Sequence, residues 1–65
     1  MTSDLDIYRT ANLLVRQHGN EAPIHAGMRA DELMATGDME GCGVWLRVIE
    51  AIKALLAEKP EGAVH

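Results

Sequence analysis

From Asp38 to Glu58 the apolar residues recur at intervals of three and four: Cys42, Trp45, Leu46, Val48, Ile49, Ile52, Leu55 and Leu56. Glu40, Arg47, Glu50 and Lys53 fall mostly on the other side. This rhythm predicts a long helix with a wide apolar stripe, about 30 Å long at a rise of 1.5 Å per residue. The same rhythm is present earlier in Ile7, Tyr8, Ala11, Leu14, Val15 and His18. Ser3 is placed to cap that first helix, Asp4 and Asp6 suit its positive end, and Gly19 supplies a left-handed stop. Asn20 is the expected N-cap of a second helix, with Pro23 in its first turn. The inward candidates of that helix are Ile24, Met28, Leu33 and Met34, with Ala22, Ala26 and Ala30 spaced by four. Gly27 weakens it by about 1 kcal/mol relative to alanine. Gly37 closes the segment and Asp38 caps the third, which ends at Lys59-Pro60-Glu61-Gly62.

The predicted architecture is an all-α, three-helix unit with short turns, spanning about 4–18, 21–36 and 39–58. It forms one domain over residues 1–65, with 59–65 a frayed tail. The expected core comprises Tyr8, Ala11, Leu14, Val15, Ala30, Leu33, Trp45, Ile49, Ile52 and Leu56.

Size sharpens this picture. A chain of 65 residues buries only about 60% of its unfolded surface and needs additional support. Cys42 is the only cysteine, so an internal disulfide is ruled out, and no Cys/His group has zinc spacing. Helix packing and oligomerisation remain. The third helix has more apolar shoulder than two shorter helices can cover. The expectation is therefore a homodimer, or higher assembly, through Val44, Trp45, Val48, Ala51, Ile52 and Leu55.

Charge narrows the partners. The formal net charge is −4 and the isoelectric point about 5.1. Acidic and basic residues alternate without a charged tail, and the balance opposes binding to nucleic acid or to an anionic membrane. The amino-terminal residues lack the basic and apolar regions of a secretory signal. No apolar run approaches the ~20 residues of a membrane span. A cytoplasmic location is expected.

Several residue types could carry chemistry, and each has a simpler reading. His18 and His25 could ligate a metal, but their spacing crosses a helix boundary, and His18 at a helix C-terminus suits the dipole. Cys42 lies near a helix start, where its thiolate would be favoured, yet no local base or cation activates it. It reads as a small buried hydrophobe. Arg29, Asp31, Glu32, Asp38 and Glu40 cluster around the second turn. They read as a solvated face and caps rather than an acid–base pair. Met28, Met34 and Met39 flank the same turn and favour a core role over an adaptable surface. Trp45 suits either core or interface. A helix-turn-helix would need several cations on its second or third helix. The second offers only Arg29, and the third only Arg47 and Lys53.

The strings Leu-Leu-Val-Arg-Gln-His-Gly at 13–19 and Arg-Ala-Asp-Glu-Leu at 29–33, with Gly37-Asp38 and Val44-Trp45-Leu46-Arg47, resemble a family of short alphaproteobacterial proteins. That family is described only as a domain of unknown function. The resemblance spans roughly residues 11–56 and implies a free-standing bacterial three-helix protein, with no activity or site residue attached.

The functional expectation is a small, non-enzymatic interaction or adaptor protein working through an apolar helix face. No catalytic, cofactor-binding or metal-ligating residue is assigned. A heterologous protein partner is a further expectation. The alternatives are a small-molecule or metal site at a dimer interface, and a helix-turn-helix-like regulator.

Overall fold

The computed structural model describes residues 3–57; the expected tail and the end of the third helix at Glu58 lie outside them. The described residues are all-helical: α1 (Asp4–His18), a 3-10 turn (Gly19–Glu21), α2 (Ala22–Ala35) and α3 (Met39–Ala57). From Asp4 to Ala35 the chain passes from helix to 3-10 turn to helix with no loop between them. The first half is thus one helical arm interrupted by its 3-10 turn, and α3 is a separate rod against which both parts of the arm pack.

The boundaries have local causes. Ser3 is extended, and its Oγ accepts the Asp6 N–H at 3.2 Å. Gly19 has φ +59°, a conformation that L side chains resist, and its N–H donates to the Val15 carbonyl. The expected Asn20 cap is not formed. The 3-10 turn carries the chain directly into α2, whose N-cap position is Glu21 and has no side-chain hydrogen bond. Pro23 sits in the first turn, where its missing donor costs nothing.

The turn between α2 and α3 is the most tightly specified part of the chain. Gly37, at φ +84°, donates its N–H to the Met34 carbonyl at 3.0 Å, and Asp38 N–H donates to the Leu33 carbonyl at 2.8 Å. This pair of bonds is a Schellman stop. Asp38 then starts α3, its Oδ1 accepting the Gly41 N–H at 2.9 Å. A Cβ on Gly41 would lie 2.6 Å from Asp38 Oδ2, so glycine there lets the capping carboxylate sit close.

The core is small. Ile7 and Ala11 of α1, Ala22 and Ala26 of α2, and Val48 and Ile52 of α3 form one buried cluster. Ala30 and Cys42 are also buried. Leu14, Val15, Trp45, Ile49 and Leu56 pack around the cluster half-buried, as Leu33 is half-buried too. Two expectations are corrected. Tyr8 is on the surface, because Ile7 and Ala11 occupy the inward line of α1. On α2 the inward line is Ala22–Ala26–Ala30, whereas Ile24, Met28 and Met34 point out, with Ile24 62% and Met28 56% exposed. Alanines spaced by four let the neighbouring helices approach closely, and the larger side chains do not fit there. No helix of the described residues is long and apolar enough to cross a membrane.

Candidate functional site

The apolar stripe of α3 is used mainly within the chain. Val48 and Ile52 are 1% and 0% exposed. Trp45, Ala51 and Leu55 lean on the same cluster half-buried, and Val44 is half-buried. The interface expected on α3 keeps Val44, Trp45, Ala51 and Leu55 partly open and is corrected at two of its six residues. Its central pair, Val48 and Ile52, lies under α1 and α2 and cannot meet another molecule without unfolding. Helix spacing alone counts the shoulders of α3 but not how far alanine-lined α2 closes over them. Only Leu46, at 51% exposure, remains a large open apolar residue of that stripe.

The open apolar surface lies elsewhere. On α1 it is Leu5, Tyr8 and Leu13; on α2, Ile24, Met28 and Met34; at the start of α3, Met39. The three methionines around the second turn, expected mostly in the core, are all on the surface. At 100° per residue, Ile24, Gly27, Met28, Asp31, Met34 and Ala35 fall within about 120° of arc, opposite the buried alanines. Alpha2 is thus apolar on two sides. A polarity ranking does not tell which side is inward, but the strict four-residue spacing of the alanines was the available signal.

The charged cluster behaves as caps and a solvated face. Arg29 Nη1 donates to Glu32 Oε1 at 2.9 Å, both side chains being more than half exposed. Asp38 is committed to the α3 cap. Arg47 donates to Asp4 across the gap between α3 and α1, again in solvent, so the pair contributes little to stability. Beside it, a cleft of about 310 Å³ is lined by Asp4, Ile7, Tyr8, Arg47, Glu50 and Ala51. Its floor is apolar and its charges are paired at the rim, Asp4 with Arg47 and Glu50 with Lys53 at 3.7 Å. The cleft can accommodate one apolar side chain, and its two carboxylates are held in ion pairs.

His18 and His25 do meet. Their rings stack across the 3-10 turn, with centroids 3.7 Å apart and planes inclined by 18°. Parallel rings hold their nitrogen lone pairs in parallel planes, so the two cannot converge on one ion without a ring turning. No group of three or more His, Cys, Asp or Glu among the described residues could hold a metal. Cys42 is buried at the α2–α3 end of the molecule and acts as a small hydrophobe.

No family model matches the chain, and neither a curated protein nor a solved structure does.

Proposed function

We propose that this chain is a small, non-enzymatic, cytoplasmic interaction protein that works by presenting apolar helix faces to another polypeptide. The imbalance between its core and its surface carries the reading. The buried set contains three large aliphatic side chains, Ile7, Val48 and Ile52, and is otherwise four alanines and a cysteine. Among the described residues, eight large apolar side chains stand about half or more exposed. Burying one such side chain is worth roughly 1.5–3 kcal/mol, so covering even two changes the stability of a marginal fold. Patches of this kind on small proteins mark contact sites.

Self-association is the simplest form of that contact, and two-fold pairing the commonest. With Val48 and Ile52 withdrawn into the core, the most exposed large residue of the α3 stripe is Leu46. Nucleic acid suits the chain poorly, because the one cation of α2, Arg29, is already held by Glu32. Sedimentation velocity over a wide dilution series tests the reading, alongside Leu46→Glu. A dimer that dissociates on dilution and is lost in the variant supports pairing through α3. A stable, well-folded monomer at every concentration rejects homodimerisation and leaves only a heterologous partner.

A further inference from the structure

The chain's charge imbalance falls on α2 together with the turns and first residues that flank it. Residues 19–46 contain five carboxylates, Glu21, Asp31, Glu32, Asp38 and Glu40, against one base, Arg29. That excess equals the formal −4 of the whole chain. The flanks are neutral: Asp4 and Asp6 balance Arg9 and Arg16, while Glu50, Glu58 and Glu61 balance Arg47, Lys53 and Lys59. The same stretch holds Ile24, Met28, Met34 and Met39, all at least half exposed. The five carboxylate residues are likewise exposed. An apolar band on α2 with Asp31 inside it is therefore flanked by acids in the turn before it, the turn after it and the start of α3.

We propose that this face of α2, with Met39 across the turn, docks a basic amphipathic helix of another protein. The proposal rests on the reading of the chain as an interaction protein and names the chemistry of its partner. Methionine side chains are unbranched and adaptable, and they conform to aliphatic anchors presented at helical spacing. Lysines or arginines beside those anchors would meet Asp31 and Glu40, both exposed. A second copy is disfavoured here, since two such faces would set like charges against each other. An acidic helix is disfavoured for the same reason.

The test is fluorescence anisotropy with three labelled peptides of about 18 residues, long enough to form helix on a surface. One is a leucine–lysine amphipathic helix, one has the same composition scrambled to remove the apolar stripe, and one is a leucine–glutamate amphipathic helix. The basic amphipathic peptide should bind about tenfold or more tightly than either control, since one buried side chain is worth that factor. Its binding should weaken with salt. Met28→Lys should reduce it by a similar factor, Met34→Lys likewise, and Leu13→Lys on α1 should leave it unchanged. All three positions are exposed, and far-UV circular dichroism verifies that each variant is folded. Equal binding of the scrambled peptide, or loss in Leu13→Lys but not in Met28→Lys, overturns the proposal. Preference for the acidic helix, still sensitive to Met28→Lys, overturns the partner's chemistry while keeping the interaction reading. No binding of any amphipathic peptide rejects both.

Discussion

Ala26→Leu and Ile24→Ala, two residues apart on α2, should affect stability in the reverse order of what their hydrophobicity suggests. Ala26 is fully buried against the cluster that contains Ile7, Val48 and Ile52. A leucine there must force apart helices that alanine allows to touch, at a cost of about 1–3 kcal/mol. Ile24 is 62% exposed, and trimming it should change stability by no more than about 0.5 kcal/mol. A domain of 65 residues has a total stability of roughly 3–10 kcal/mol, so the leucine variant loses a sizeable fraction and the alanine variant almost none. Urea unfolding followed by far-UV circular dichroism measures both, with an unchanged slope showing that the unfolded state is the same. The reasoning is refuted if Ile24→Ala costs about 2 kcal/mol or more, the range for truncating a buried isoleucine, while Ala26→Leu is neutral. That outcome would mean α2 is turned so that Ile24 and Met28 face the core. Repeating the Ile24→Ala measurement at several protein concentrations separates packing within one chain from contact between chains.

Gly43 is helical, with nothing within 4 Å of where an added methyl group would stand, and Gly27 is equally open; Gly43→Ala and Gly27→Ala should each stabilise by up to about 1 kcal/mol, a rise in Tm of about 4–8 °C by calorimetry. Asp38→Ala should cost about 1 kcal/mol in urea unfolding through loss of the cap on Gly41. Asp4→Ala and Arg47→Ala should each cost less than about 1 kcal/mol, and a double-mutant cycle should give a coupling that fades with added salt, because the pair is in solvent. Cys42 is 2% exposed; reaction of its thiol with a disulfide reagent should be slow in the native protein and accelerate in urea in step with unfolding.

The ends of the helices are readable because each is set by one or two residues acting locally. Ser3, Gly19, Gly37 and Asp38 act within four or five residues of themselves, and α1 runs over the expected 4–18. Alpha2 and α3 begin and end within a residue of expectation over the described part. Asn20 fails as a cap because the Ala22 N–H donates to the Gly19 carbonyl and Pro23 has no N–H to offer. The turning of α2 about its axis is not readable in the same way. It depends on how closely α1 and α3 approach, a property of three elements at once, and Ile24 and Met28 look like core to any scale of polarity. The expectation for α3 has a different cause. Two shorter helices, the second rich in alanine and glycine, look too small to cover the stripe on α3, so Val48 is assigned to a partner and Ile52 to both core and partner. The stacked imidazoles of His18 and His25 depend on the geometry of the 3-10 turn, which spacing alone does not define.

The alanine line of α2 separates two kinds of selection that usually compete on one short helix. Positions 22, 26 and 30 admit hardly any change, since each sits between helices already in contact. Positions 24, 28 and 34 lie outside the buried cluster and more than half exposed, and whatever they meet outside, they can change with it. A lineage could thus exchange one binding partner for another by drifting at these three sites while its melting temperature stayed the same. For the same reason they are the positions to randomise if this chain is to be turned into a scaffold.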